Sequence, residues 1–212
     1  MKTAPISVTL IDSCGSDLSV VNAARVSFHK ESKEFTDKDA KLVSYLAKHE
    51  HLSPFNHCFM SFRVKAPIFS ARQMVKHKFL PWNEVSRRYV DEEPEFYFPD
   101  KWRGKPIDKK QGSDGVVNDV IMEKQTTRCI QRALYQYDYM IKAGVAPEQA
   151  RMVLPQNTMT EWIWSGTLGA FCAMLKLRLK EDTQEETREV AVLISKEVQR
   201  LFPVSYEALV NE

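Results

Sequence analysis

A chain of 212 residues is about one to one and a half times a usual domain length, so a single globular unit over 1–212 is expected and two full domains would be cramped. With 43% hydrophobic residues, 27% charged residues and a formal net charge of +2, the composition excludes a disordered or fibrous chain and demands no polyanionic partner. The longest apolar runs, Ile163 to Leu168 among them, break well before the roughly 18 residues of a membrane span, and the Met1 to Pro5 start lacks a secretory pattern, so a cytoplasmic protein with no membrane contact is expected.

In chain order, the β-branched stretch Pro5 to Ile11 predicts a strand, and Thr36 caps a helix whose apolar stripe is Leu42, Val43 and Leu46. From His57 to Lys65 the residues alternate, with Cys58, Met60, Phe62 and Val64 on one face, the period of a half-buried strand. Pro67 suits the first turn of a helix running to about Lys78. Between Phe79 and Trp102 three prolines and rapid changes of charge predict an irregular loop with a short strand at Glu95 to Phe98.

The remainder reads as helical: Val116 to Lys142, a short helix opened by Pro147, Thr160 to Arg178, and Gln184 to Leu201 behind a capping box of Thr183 and Glu186. Local strands early and helices late give an α+β class. The cysteines Cys14, Cys58, Cys129 and Cys172 have no paired spacing, which argues against a zinc ribbon or a disulfide framework and suggests that at least two fill the core. The five histidines form no metal-ligating helical pair, so no metal site is expected.

Chemistry concentrates in two places. Ala71 to Tyr89 carries Arg72, Lys76, Lys78, Arg87 and Arg88 against Glu84 alone, followed by the acidic Asp91, Glu92, Glu93, Glu95 and Asp100. Such a stretch is either a self-neutralising surface or, with Gln73, His77, Asn83 and Ser86 interleaved, a set of donors and acceptors that suits a pyrimidine nucleotide and its phosphate. The second place is Arg178. At about 100° per residue it falls on the stripe of Trp164, Leu168, Phe171 and Leu175, and an inward Arg needs an anionic or hydrogen-bonding partner. Arg151 by itself reads as surface charge, and His51 and His57 as structural. Cys58 beside His57 is poorly placed for thiol chemistry, because strand neighbours point to opposite faces.

The string Arg72-Gln73-Met74-Val75-Lys76-His77-Lys78, followed by Asn83-Glu84-Val85-Ser86-Arg87-Arg88-Tyr89, resembles the signature of the flavin-dependent thymidylate synthases. The likeness extends to Ala24 to Phe28, His51 to His57, Lys65 to Phe69, Ala150 to Pro155 and Leu177-Arg178. It implies a homotetramer with shared active sites, in which FAD reduced by NADPH supplies a hydride and methylenetetrahydrofolate the carbon that turns dUMP into dTMP. In this family no enzyme cysteine attacks the uracil ring.

Position by position, the resemblance places Gln73, Lys76, Glu84, Ser86, Arg87, Arg88, Arg151 and Arg178 at dUMP. Arg178 matches the residue that favours ionisation of a uracil ring nitrogen, with Ser86 and His51 beside it as catalytic positions. The flavin positions are Ser53, Asn56, Lys76, His77, Lys78, Glu84 and Gly169. Here the chain departs from the pattern: Lys76 and Lys78 replace arginines, Asn56 a glutamate and Pro81 a serine, while Gly169 and Ala173 stand where Arg and Asn are common. These departures motivate an alternative outcome, hydroxymethylation of the nucleotide. A nonenzymatic nucleic-acid binder using the basic loop would show steeply salt-dependent binding, and the near-neutral total charge weighs against it.

Overall fold

The computed structural model describes residues 1–90, 92–107 and 112–211. The elements are β1 (Lys2–Thr3), β2 (Ser7–Cys14), α1 (Asp17–Arg25), α2 (Asp37–Lys48), β3 (Phe59–Pro67), α3 (Ile68–Met74), β4 (Trp82–Glu84), β5 (Glu95–Phe96), β6 (Arg103–Gly104) and β7 (Asp114–Val116). There follow α4 (Val120–Lys142), α5 (Pro147–Ala150), β8 (Met159–Thr167), α6 (Leu168–Arg178), α7 (Glu185–Leu201) and α8 (Pro203–Tyr206). The main sheet is antiparallel with order β2-β3-β8-β4, and β3 pairs with β8 from Phe59↔Thr167 to Pro67↔Met159.

The alternation expected along β3 is realised: Cys58, Met60, Phe62 and Val64 are fully buried, and α6 and α7 cover that face with Phe171, Leu175, Val190 and Ile194. A smaller core of Phe96, Ile130, Leu134, Tyr137 and Ala150 lies under α4. The α+β class holds, but the order of strands before helices does not, because a central strand comes late in the chain.

That strand is the largest correction. Thr160 to Thr167 is not the start of a helix reaching Arg178; it belongs to β8, and only Leu168–Arg178 is helical. Thr160, Trp162 and Trp164 face inward and Glu161, Ile163 and Ser165 are half-buried, a period of two that the helical stripe through Trp164 concealed. Pairing with β3 and β4 on its two sides settles the matter, since those contacts are invisible to local pattern. Gly166 is therefore a strand residue, and a Cβ there would stand 2.3 Å from Leu80 Cδ2 and 3.0 Å from the Phe79 carbonyl oxygen.

Smaller corrections follow the same logic. Pro67 ends β3 and caps α3, which stops at Met74 and not near Lys78. The N-terminal strand runs from Ser7 to Cys14, the strand at Glu95 stops at Phe96, and the supposed loop after Phe79 contains β4. The long helix begins at Val120, where Asp119 accepts from the Ile121 and Met122 amides, and not at Val116, which is in β7. Helix α1 behind Ser16 escapes the sequence reading altogether.

The Thr183 and Glu186 capping box is not formed. Gln184 is the N-cap of α7, while Glu186 is drawn to the Arg103 guanidinium at 2.5 Å, a stronger partner than an amide. Thr36 does cap α2, in a reciprocal box with Asp39. The hydrogen bond from Thr36 is the main reason the Asp39 carboxyl titrates below its ordinary range.

The chain ends are fastened together through Asp17, a buried carboxylate. It accepts from the Val204 amide at 3.0 Å, the Ser205 amide at 2.9 Å and the Ser205 hydroxyl at 2.5 Å. Asp17→Ala strands these donors and is expected to cost about 2–3 kcal/mol. Urea unfolding should show this as a lower midpoint at unchanged slope.

Candidate active site

The residues singled out from the sequence fall in three places on one chain. The first is the turn after α3 and the end of α6. Arg178, partly buried in the last turn of α6, reaches across to α3: its Nε–H donates to His77 Nε2 at 2.9 Å and its Nη2 to the Gln73 carbonyl oxygen at 3.1 Å. Burial nudges this guanidinium below its usual pKa, without removing its charge. The Arg178 side chain, read from the sequence as needing a partner, thus has two neutral acceptors. Gln73 is held by its side-chain amide donating to Gln184, whose own amide donates to Glu186 at 3.1 Å. Gln73, Lys76 and Arg178 share the wall of an open cavity of about 460 Å³.

The second place is the edge of the sheet. β4 presents Glu84, whose Oε1 accepts from the Thr160 hydroxyl at 2.6 Å and whose Oε2 accepts from the Trp82 indole at 3.1 Å. Both carboxylate oxygens are fixed by neutral donors. Beyond it Ser86 Oγ accepts from Arg88 Nε at 3.1 Å, and Arg87 donates to the Glu92 carbonyl oxygen. Glu84, Arg87 and Arg151 line a cavity of about 650 Å³. Arg151 is exposed, with a single contact to the Glu148 carbonyl at 3.3 Å. Between the first and second places stand Trp82, Trp162 and Trp164, with Trp82 stacked on Trp162 at 4.2 Å and His77 at 6.4 Å from Trp164.

The third place is the turn from His51 to Asn56 against the start of α6. The Thr167 hydroxyl donates to Asn56 Oδ1 at 2.8 Å and accepts from the Ala170 amide at 3.2 Å, capping the helix. A Cβ on Gly169 would sit 2.6 Å from that same Asn56 Oδ1. The Asn56 side-chain amide thus occupies space that a side chain at 169 would need. Ser53 is exposed nearby, and the exposed His51 ring lies 6.4 Å from both Tyr45 and His49.

Arg178, Ser86 and His51 thus stand in the first, second and third places respectively. Among the described residues no hydrogen bond joins Arg178, Ser86 and His51, although Arg72 and Val75, at the end of α3, wall the cavity of Glu84, Arg87 and Arg151. Thr160, Gln184 and Thr167, which fix Glu84, Gln73 and Asn56, were not found from sequence, because each acts through a contact distant in the chain. The thiols agree with their expected inertness: burial pushes Cys58 up to about 11 and Cys172 up to about 12.

Charge bears on the two readings of the basic loop. Of the acidic run, Asp91 lies outside the described residues, Glu92 lines the cavity of Arg87, and two carboxylates turn elsewhere: Glu93 meets the N-terminal ammonium at 3.4 Å and Lys2 at 3.8 Å, and Glu95 pairs with Lys65. Among the described residues, Arg72, Lys76, Lys78, Arg87, Arg88, Arg151 and Arg178 form no ion pair with a carboxylate, although such pairs are common elsewhere in the molecule. Unpaired cations beside fixed polar groups suit small phosphorylated ligands.

The class is an α+β protein built on an antiparallel sheet, whose edge and covering helices carry, among the described residues, cations without ion-pair partners beside open cavities. Comparison with known proteins makes this specific. The family described as thymidylate synthase complementing protein matches residues 9–204. The flavin-dependent thymidylate synthase of Thermotoga neapolitana is 39% identical over 204 residues, covering 96% of this chain and 90% of its own. That of Thermus thermophilus is 39% identical over 201 residues, covering 95% and 74%. The UMP/dUMP methylase PolB of Streptomyces cacaoi superposes with a TM-score of 0.87 at 33% identity, covering 98% of this chain and 96% of its own, in a crystal bound with 5-Br dUMP. The chain belongs to the flavin-dependent thymidylate synthase family and is an enzyme. No helix among the described residues is long and apolar enough to cross a membrane.

Proposed function

We propose that the protein methylates dUMP to dTMP, with methylenetetrahydrofolate as carbon donor and FAD, reduced by NADPH, as hydride source. The observation that carries this reading is the set of cations that have no carboxylate partner among the described residues, on the very segments that resemble the family signature. A nucleotide phosphate and a flavin pyrophosphate are the anions these cations lack, so the residues present fit the cofactor in charge. Ser53, Asn56, Lys76, His77, Lys78 and Glu84 would hold the flavin, and the backbone at Gly169 lies against that group through Asn56. When bound, the flavin supplies the hydride.

The chain's own contribution is to hold and polarise the pyrimidine. Gln73, Arg87, Arg88, Arg151 and the Ser86 hydroxyl bind the nucleotide and its phosphate. Arg178 keeps its full charge because neutral groups anchor it, and it stabilises negative charge on the uracil ring nitrogen, which makes the neighbouring carbon nucleophilic. No thiol attack is needed.

Gln73 and Arg178 open into one cavity, whereas Glu84, Arg87 and Arg151 open into another with no lining residue in common. A second copy of the chain bringing its sheet edge to the first cavity would complete the site, which supports a homotetramer with shared sites. Arg88→Ala is expected to raise the dUMP KM about tenfold or more with a smaller change in kcat, as steady-state kinetics would read.

A second reading concerns the sugar. The Streptomyces cacaoi methylase was also crystallised with 5-Br UMP, and that structure superposes with a TM-score of 0.85. Incubation with dUMP or UMP, methylenetetrahydrofolate, FAD and NADPH, followed by mass spectrometry, tests both readings. Methylated dUMP is the expected product, methylated UMP would extend the substrate range, and 5-hydroxymethyl-dUMP would replace the methylation outcome. The joint change at Asn56 and Gly169 further predicts weak FAD binding in the absence of nucleotide. Submicromolar FAD affinity without dUMP would contradict it.

A further inference from the structure

We propose that His77 is a positioning residue for Arg178, holding the guanidinium through a neutral imidazole whose Nε2 accepts the Arg178 Nε–H. The proposal rests on the reading of Arg178 given above and goes beyond it by assigning what aims that residue.

The tautomer follows from the geometry. A guanidinium nitrogen can only donate, so the ring nitrogen 2.9 Å from Nε must carry a lone pair, and the ring proton then sits on Nδ1. The second anchor, the Gln73 carbonyl 3.1 Å from Nη2, is also neutral. Together they fix the guanidinium plane at Nε and one terminal nitrogen, and leave Nη1 without a hydrogen-bond partner among the described residues, on a side chain that lines the cavity with Gln73 and Lys76. A carboxylate in place of His77 would fix the group equally well but would cancel its charge; an imidazole fixes it and leaves the charge for the ligand. The Nδ1–H remains as the one donor that His77 can offer to a bound cofactor.

Surroundings keep the ring neutral. Burial, then the Arg178 charge, brings the His77 pKa down to about 4. Arg178 faces it from α6, the apolar Trp164 ring packs at 6.4 Å from β8, and Lys76 and Lys78 flank it in the chain. A folded-state pKa depressed below the ordinary value of 6.5 means that the contact is intact above pH 6.5 and is lost as pH falls through about 4.

The test combines kinetics at saturating FAD with a spectroscopic readout on the whole protein. His77→Leu removes the acceptor and is expected to lower kcat about 100-fold with a lesser change in dUMP KM, as misorientation of a catalytic group does. His77→Gln, which can return an acceptor oxygen to the same place, should recover most of that loss. In an Arg178→Ala background, His77→Leu should cost little more, because it acts through the group already removed. In wild-type protein labelled with 15N-histidine, His77 should carry its proton on Nδ1 at pH 7, and Arg178→Ala should raise its pKa toward 6.5.

Wild-type kcat for His77→Leu at saturating FAD, a full additive loss in the double variant, or a proton on Nε2 would each overturn the proposal. Full turnover by Arg178→Ala would instead overturn the reading of the site, and this proposal with it. That outcome is told apart because the wild-type tautomer would be as described.

Discussion

Arg178→Ala is expected to lower dTMP formation by about 1000-fold while the protein remains folded. The large effect on rate follows from what the guanidinium alone supplies: a permanent charge, anchored by neutral acceptors, at the wall of the cavity with Gln73 and Lys76. The small effect on stability follows from its position in the last turn of α6, where truncation removes two hydrogen bonds to residues that are only half-buried. Initial rates of dTMP formation and a thermal unfolding curve measured on one preparation test both halves. Wild-type kinetics would remove Arg178 from the mechanism, and unfolding would make it a structural residue.

Trp164→Ala should have the largest effect on stability, about 3–5 kcal/mol. Its side chain is fully buried at the centre of β8, between β3 and β4. It packs edge-on against Phe171 at 5.6 Å and Trp82 at 5.7 Å, and its removal leaves a cavity walled by a rigid sheet that cannot close over it. Because His77 packs against the same ring, catalytic loss should accompany destabilisation even where the variant is still folded. Urea unfolding monitored by circular dichroism reads the first effect and the rate at low denaturant the second. A midpoint shift worth less than about 1 kcal/mol would contradict the central placement of this tryptophan.

Candidate site residues were easier to nominate from the sequence than the fold around them was to read. The basic loop, with its polar side chains, nominates an anion site by charge and donor count alone, and Arg178 stands out because a guanidinium near an apolar stripe requires a partner. The stripe itself was partly an accident: Trp164 belongs to a strand, and Arg178 faces α3 because Leu168–Arg178 forms a separate helix. That Asn56 fills the space a side chain on Gly169 would need is a contact between residues 113 positions apart by number, which no local pattern shows. The self-neutralising surface suggested by the neighbouring acidic run gives way because Glu93 and Glu95 are drawn to Met1, Lys2 and Lys65, residues close in space and far in the chain.

What the sequence determined by itself is whatever depends on near neighbours along the chain: the alternating face of β3, the capped helix α2, and a dense group of donors and cations between Ala71 and Tyr89. The tertiary structure alone decided that Thr160 to Thr167 pairs as a strand, that the Arg178 guanidinium meets the His77 ring, and that the nucleotide-site candidates open into two separate cavities. The physical reason is the range of the forces involved. Periodicity and capping act over three or four residues, whereas strand pairing and the desolvation of a charge depend on which distant surfaces the folded chain brings into contact.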